Sequence, residues 1–377
     1  MLISAEIEVN PLFGSIWDRC VDYWSLALRT GEGAYTVSAN MGQKNSRISS
    51  EDELLRKIVR SARLRTRSGQ DYGIRLGIGD DAALWRPRPG FETVLTTDWF
   101  LEGTHFLRNL HPPESVGWKC LARAVSDIAA MGGEPRCFLL SLGLPENRTG
   151  KWLDQFLAGI KRASRKLRCH LIGGDTTQRN EILINLCVIG EVKKGFPAKR
   201  SGATAGDRIF VSGRLGEAEL GLRLLRKNRP STLHTHSLIR KHLYPEPRIK
   251  LGSWLSSNRV ATAMMDLSDG LSTDLARLCK ASETGARIYS NKLPQASEKF
   301  SCRLTPAERT YAALHGGDDY ELLFSVTSKT APRIPRKFLG IELTEIGEIT
   351  KENEIKLIEP SGQAIPLHAE GWDPFRK

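Results

Sequence analysis

Acidic residues are concentrated in six short turns of this 377-residue chain, most of which contain glycine. The six are GIGDD at 77–81, TTD at 96–98, SD at 126–127 ahead of MGG at 131–133, GGDTT at 173–177, DLSDG at 266–270 and GGDDYE at 316–321. One such turn is ordinary, because Asp and Gly are common turn residues. Six of them beside β-rich runs favour an α/β chain whose loops gather carboxylates.

β-rich runs alternate with amphipathic stretches from about residue 49 onwards. Apolar residues at helical spacing predict helices at 116–131, 151–167, 217–225 and 271–279, and a further helix that opens with the capping sequence SSEDE at 49–53. β-branched and apolar runs predict strands at 93–97, 138–142, 171–172, 182–189, 208–211 and 320–326, and another near Met264. The pattern is that of an α/β protein.

A Gly/Lys-rich connector at 193–202 separates two units of this alternation. We therefore predict an N-terminal α/β domain at 49–198 and a C-terminal α+β domain at 199–377. Residues 1–48 show no sustained period, so we expect an N-terminal extension that is disordered or that results from a misassigned start, with Met41 as the alternative start codon.

The charge of the chain is basic, with 55 Lys and Arg against 43 Asp and Glu and a formal net charge of +12. Such a surface attracts anions, including nucleotides, phosphorylated metabolites and nucleic acids. The densest basic segment lies on the predicted first helix and the turn after it, at Arg56, Lys57, Arg60, Arg63, Arg65 and Arg67. A solvated helix face explains this segment more simply than a nucleic-acid contact.

The seven cysteines fit neither a disulfide framework nor a zinc site, because their number is odd and no C-x-x-C pair occurs. Reduced thiols in the cytoplasm are the simplest explanation. We find no secretory signal at the N-terminus and no run of about 18 apolar residues, so we expect a soluble cytoplasmic protein with no membrane partner.

Adjacent carboxylates such as Asp80 and Asp81 repel one another and remain ionised most readily when cations lie nearby. Oxygen ligands without His or Cys select Mg²⁺, which commonly joins carboxylates to substrate phosphates. A carboxylate-rich site in a basic protein therefore indicates a nucleoside triphosphate held through several Mg²⁺ ions. The chain lacks G-x-x-x-x-G-K-[ST] and an H-R-D loop, so any ATP chemistry must use another scaffold.

The order of the motifs resembles the thiamine-monophosphate kinase family over about residues 50–377. The shared motifs are GDDAA at 79–83, TD at 97–98 followed by EGTHF at 102–106, SDIAAMG at 126–132, GGDTT at 173–177, RSGA at 200–203, DLSDGL at 266–271, GDDYEL at 317–322 and GWDPF at 371–375. The resemblance implies a PurM-like N-terminal α/β domain, a C-terminal α+β domain, and a homodimer formed through the N-terminal domain. It also implies ATP and thiamine monophosphate as substrates, with Mg²⁺ as cofactor.

The resemblance also implies the site residues. The metal ligands would be Asp80, Thr96, Thr97, Asp98, Asp127, Asp175, Asp266 and Asp269. The ATP contacts would be Ala158, Gly174, Asp175, Arg200 and Ser268. The contacts to thiamine monophosphate would be His105, Glu321 and Trp372, where an aromatic face or a carboxylate can stabilise the cationic thiazolium ring.

The acceptor in this reaction is a phosphate that is already ionised, so positioning and charge neutralisation suffice and no strong general base is required. We expect direct in-line transfer without a phosphoenzyme. Two related activities stay open, those of selenophosphate synthetase and of aminoimidazole ribonucleotide synthetase. A basic nucleic-acid-binding protein is the alternative from a different class, and we expect no specific nucleic-acid partner.

Overall fold

The computed structural model describes residues 50–62, 73–227, 233–297 and 304–376. The predicted N-terminal extension and its alternative start at Met41 lie outside these residues. Within them the helices are α1 (Glu51–Ala62), α2 (Pro113–Ala130), α3 (Lys151–Leu167), α4 (Glu217–Arg226), α5 (Leu233–Leu243), α6 (Ile249–Ser257), α7 (Leu271–Ser282) and α8 (Pro306–His315).

The strands of the first half are β1 (Ile74–Leu76), β2 (Leu84–Trp85), β3 (Phe91–Leu101), β4 (Glu134–Leu144), β5 (His170–Gln178) and β6 (Leu183–Lys193). Those of the second half are β7 (Arg208–Ser212), β8 (Ala263–Leu267), β9 (Gly285–Tyr289), β10 (Glu321–Val326), β11 (Lys337–Phe338), β12 (Ile341–Thr350), β13 (Ile355–Ile358) and β14 (Ala364–Pro366). The predicted alternation is confirmed, with α3 matching its predicted bounds at both ends.

The N-terminal sheet has four strands in the order β3-β6-β4-β5, with β4 and β5 parallel and the other neighbours antiparallel. One face packs against α2 and α3, where Leu140, Leu186 and Val188 are buried with the apolar side of both helices. The opposite face carries Leu95 and Trp99, which are 66% and 54% exposed. Side chains alternate between the two faces along each strand.

The C-terminal sheet runs β14-β13-β9-β12-β7-β10-β8, and β11 pairs with β12. All its neighbours are antiparallel except β9 and β13. One apolar cluster packs α7 against one face of this sheet, and a second cluster packs α6 against the other. Strand β8 delivers DLSDG, residues 266–270, to the edge of the sheet.

Helix α2 joins the two halves, because it packs against α3 on one side and against α6 and β8 on the other. The contact with α6 is close enough to require glycine: a Cβ on Gly252 would lie 2.0 Å from the carbonyl oxygen of Ala129. Polar residues of α2 therefore face the strand ends of the C-terminal sheet. The candidate site lies at this junction.

Candidate active site

Carboxylates from both halves of the chain meet at the junction. Asp127 of α2 accepts a hydrogen bond from the Thr96 hydroxyl at 2.5 Å, and Thr96 lies on β3. Asp266, at the end of β8, is 3% exposed and accepts a hydrogen bond from Ser126 at 2.7 Å. The fold thus brings the TTD, SD and DLSDG motifs together.

The electrostatics of these carboxylates indicate that they are short of positive charge. Burial raises the pKa of Asp98, and it also raises the pKa of Asp127. Burial, followed by the neighbouring charge of Asp127, raises the pKa of Asp266 to about 8. Several carboxylates that are costly to ionise together form a site that a bound cation would stabilise.

This donor set fits Mg²⁺. No group of three or more His, Cys, Asp or Glu side chains within the described residues is arranged to hold a metal ion by itself. Mg²⁺ does not require such a group, because it keeps several waters and is usually held by one or two carboxylates together with substrate phosphates. Asp127 and Asp266, with the Thr96 hydroxyl beside them, supply the hard oxygen ligands of such a site.

The loop that carries Ser268 and Asp269 is fixed by a residue that the sequence analysis did not select. Asp274, in the first turn of α7, accepts hydrogen bonds from both backbone N–H groups at 3.0 Å. Arg277 of the same helix pairs with Asp274 and with Asp269. The C-terminal segment docks here too, since the backbone N–H of Trp372 donates to the carbonyl of Asp269 at 2.8 Å.

A cavity of about 390 Å³ opens beside this loop. Its wall includes four predicted site residues from three distant parts of the sequence, His105, Ser268, Asp269 and Trp372. His105 accepts a hydrogen bond from the Leu101 backbone N–H at its Nδ1 atom. Burial lowers the pKa of His105 to about 4, so the ring is neutral with its proton on Nε2. Trp372 is 47% exposed at the wall.

Arg123, Asp318 and Tyr320 form one part of the cavity wall, called here the inner end, and neither Arg123 nor the buried Lys119 behind Asp318 was predicted from the sequence. Lys119 of α2 is 1% exposed and pairs with Asp318 at 2.8 Å, while the Tyr320 hydroxyl donates to Asp318 at 2.7 Å. Burial would raise the pKa of Asp318, but Lys119, His242 and Arg123 together outweigh burial and hold this pKa well below its ordinary value. Arg123, one turn after Lys119, pairs with Asp98. The sequence signal for Lys119 and Arg123 was their i, i+4 spacing within the apolar stretch of α2.

The remaining predicted ligands lie elsewhere. Asp80, Gly174 and Asp175 line a second cavity of about 1260 Å³, formed by α1, the turn at 78–83 and strands β4 and β5. The sheet register aligns Asp98 with Gly174 across β6 and β4, three strand spacings or roughly 14 Å apart. Across the same strands Asp175 is aligned with Trp99, the residue that follows Asp98. Because successive side chains of a strand point to opposite faces, Asp175 lies on the face opposite to Asp98.

Thr97 also lies on that opposite face, where its hydroxyl contacts Asn185 at 3.2 Å. The predicted metal ligands therefore form two groups on the two faces of the N-terminal sheet. Arg200 is exposed, and its charge is felt by Asp127 and Asp266. Ala158 is exposed on α3 and does not line either of these cavities, so its predicted ATP contact stays a prediction.

Glu321 does not line the cavity that holds His105 and Trp372. It is fully buried, and its carboxylate accepts hydrogen bonds from Ser212 and Lys241, both at 2.6 Å, and from Arg248. Its neighbours in sequence, Asp318 and Tyr320, line the cavity instead. The predicted contact of Glu321 with a substrate stays a prediction, and the structure gives the carboxylate a second task, the neutralisation of two buried cations.

The fold and the site define a class of two-domain proteins. The model of the AIR synthase related protein N-terminal domain matches residues 79–192, and that of the C-terminal domain matches residues 204–359. The solved structure of the Escherichia coli hydrogenase maturation protein HypE shows the same fold, with a TM-score of 0.68 at 18% identity over 86% of this chain and 99% of that one.

The chain belongs to the thiamine-monophosphate kinase family. It is 40% identical to the thiamine-monophosphate kinase of Buchnera aphidicola over 73% of this chain and 84% of the relative, and 37% identical to that of Escherichia coli K12 over 84% and 94%. The crystal structure of the Stenotrophomonas maltophilia enzyme matches with a TM-score of 0.71 at 34% identity, over 83% of this chain and 96% of that one. The structure of AaThiL complexed with AMPPCP and TMP matches with a TM-score of 0.68 at 34% identity, over 77% and 89%.

Proposed function

We propose that this protein transfers the γ-phosphoryl group of ATP to thiamine monophosphate and so forms thiamine diphosphate. The observation that carries the proposal is a shared loop: Ser268 and Asp269 line the 390 Å³ cavity, and the same loop presents Asp266 to the carboxylates of the junction. A phosphorylated substrate in the cavity therefore lies beside a site suited to cations and a nucleotide. Membership of the family and the AaThiL complex with AMPPCP and TMP support this assignment.

The residues at the cavity suit an acceptor that needs no deprotonation. The neutral His105 ring can donate a hydrogen bond from Nε2, and the exposed face of Trp372 can stack on the cationic thiazolium ring. Rate acceleration then comes from alignment of the two phosphates and from neutralisation of their charge. The transfer is direct and in line, without a covalent phosphoenzyme.

Several Mg²⁺ ions are the proposed cofactor. Thr96, Asp98, Asp127, Asp266 and Asp269 would hold them on one side of the sheet, and Asp80, Thr97 and Asp175 on the other. When bound, these ions neutralise the phosphate charge of ATP and of the acceptor. Burial raises the pKa of both Asp127 and Asp266, and a neighbouring carboxylate raises it further, Asp269 for Asp127 and Asp127 for Asp266; a bound cation would relieve this cost.

We propose that the homodimer forms through the face of the N-terminal sheet that carries Asp175. This face also exposes Leu95 and Trp99, whereas Asp98 lies on the opposite face. Exposed apolar side chains on one sheet face are typical of an interface. In a two-fold dimer through this face, Asp175 and Thr97 of each chain would lie against the same face of the partner.

The first experiment incubates the full chain with ATP, MgCl₂ and thiamine monophosphate and separates the products by chromatography. We expect thiamine diphosphate and an equal amount of ADP, both abolished by a chelator. Asp154→Asn is the matched control, because Asp154 is an exposed carboxylate on α3 that pairs with Lys57. ATP binding without turnover of thiamine monophosphate would overturn the proposal and direct the search to other phosphate acceptors.

The dimer is tested by sedimentation of the wild type and of Trp99→Asp. A charge introduced on this exposed face should convert the dimer into monomers. A wild type that sediments as a monomer would overturn this part of the proposal.

A further inference from the structure

Arg123 is a charged residue of the cavity wall that the proposed function does not use. It lies on α2, lines the 390 Å³ cavity, and its side chain is 14% exposed. Its guanidinium forms a two-pronged contact with Asp98, from Nε to Oδ2 at 3.2 Å and from Nη2 to Oδ1 at 3.1 Å. The same group lies over the Phe100 ring, with Cζ 5.4 Å from its centroid. A planar fork held in this manner is pre-organised for an oxyanion.

Of the other basic groups of the wall, Arg223 pairs with Glu219 and Arg226 is exposed, whereas the buried groups close to Asp318 are neutral or paired. Burial lowers the pKa of His105 and of His111 to about 4, and that of His242 to about 2, so all three rings are uncharged near pH 7. Lys119 is neutralised by Asp318 at 2.8 Å. Arg123 is therefore the cation at this end whose partner, Asp98, is itself a proposed metal ligand.

We propose that Arg123 binds the phosphate group of thiamine monophosphate at the inner end of the cavity. The inference rests on the proposed function and assigns the binding of the substrate phosphate to one residue. In the structure Asp98 accepts hydrogen bonds from the Arg123 guanidinium. A cation bound by Asp98 would release the guanidinium to pair with the substrate phosphate. Burial would lower the pKa of Arg123, but Tyr320, Asp98 and Asp318 outweigh burial and raise this pKa, so the guanidinium stays protonated.

The test measures binding rather than turnover, with MgCl₂ present and ATP omitted. Dissociation constants for thiamine monophosphate and for unphosphorylated thiamine are obtained by calorimetry for the wild type, Arg123→Lys and Arg123→Met. A lost bidentate contact to a charged group should weaken thiamine monophosphate binding roughly 10- to 100-fold in Arg123→Met. Arg123→Lys should show a smaller loss, because it keeps the charge without the fork. Thiamine binding should change less than about 2-fold.

The matched control is Arg287→Met, an exposed arginine on β9 with only a 3.9 Å contact to Glu348. It should bind both ligands like the wild type. Equal weakening of both ligands in Arg123→Lys and Arg123→Met would mean a structural role and would overturn the inference. Unchanged binding of thiamine monophosphate in both variants would also overturn it, while leaving the proposed function intact if the wild type forms thiamine diphosphate. A wild type that binds no thiamine monophosphate would refute both.

Discussion

Replacement of Glu321 by Gln should destabilise the C-terminal domain far more than it affects substrate binding. Burial alone would raise the pKa of Glu321, but Lys241 and Arg248 outweigh burial and lower it from 4.5 to about 2. At about 1.4 kcal/mol per pH unit, this difference corresponds to roughly 3 kcal/mol of folding free energy. The loss of one partner from a buried ion pair typically costs about 3–5 kcal/mol, which agrees.

The expected shift is large enough to measure by calorimetry. For a domain of this size, about 3–4 kcal/mol lowers the melting temperature by roughly 6–15 °C. The wild-type contribution is complete above pH 4.5 and is lost as the pH falls towards 2, because the folded state holds the lower pKa. Melting temperatures of the wild type and Glu321→Gln should therefore converge as the pH falls from 5 to 3.

Glu342→Gln is the control for Glu321→Gln. Glu342 is a half-exposed carboxylate whose contact with Lys337 is 3.6 Å, so its loss should cost less than about 1 kcal/mol. A Glu321→Gln variant that melts like the wild type and has a raised KM for thiamine monophosphate would contradict the predicted loss of stability. That result would place the Glu321 carboxylate at the substrate, as the sequence motif predicts.

Three further substitutions test the site. Asp266→Asn should lower activity more than 100-fold, because it removes a proposed metal ligand. It should also raise the melting temperature of the metal-free protein, measured by calorimetry with chelator, because it relieves the repulsion between Asp266 and Asp127. Trp372→Ala should raise KM for thiamine monophosphate several-fold and leave the melting temperature within about 2 °C, since the ring is 47% exposed. Gly174→Ala should abolish ATP binding or folding, measured by nucleotide titration and circular dichroism, because its Cβ would lie 1.9 Å from the Leu140 carbonyl oxygen.

The longer elements of the N-terminal half could be predicted from sequence because each has a strong local signal, whereas the short strands β1 and β2 could not. The helix of residues 151–167 shows apolar side chains at helical spacing, and the strand that begins at Leu183 is a continuous β-branched and apolar run. In the C-terminal half, helices α5, α6 and α8 were not predicted, and neither were strands β9 and β11–β14. These strands are short or interrupted by charged residues, and their stability comes from pairing with strands distant in sequence, as when β9 pairs with β12 and β13.

The residues of the candidate site also fall into two groups, those that a local motif predicts and those that it does not. Side chains that act directly on phosphates and cations occur in motifs, so Asp127, Asp266 and His105 could be selected from their order in the chain. Asp274 and Lys119, which position the loop and neutralise Asp318, carry no motif, because their role depends on a partner from another element. Burial is the decisive quantity for such residues, and it is a property of the packed structure.

Glu321 shows why a motif position alone does not fix a role. The GDDYE segment turns sharply at its centre, where Asp318 and Tyr320 adopt positive φ angles of 69° and 51°. The turn sends alternate side chains to different places: Asp318 and Tyr320 reach the cavity, whereas Asp319 and Glu321 face the interior. Asp319 accepts hydrogen bonds from the backbone N–H groups of Gly216 and Ala218, at 2.6 and 3.2 Å. One acidic segment thus serves the substrate cavity and the anchoring of α4 and α5 at once, so substitutions within it should separate into binding defects and folding defects by position.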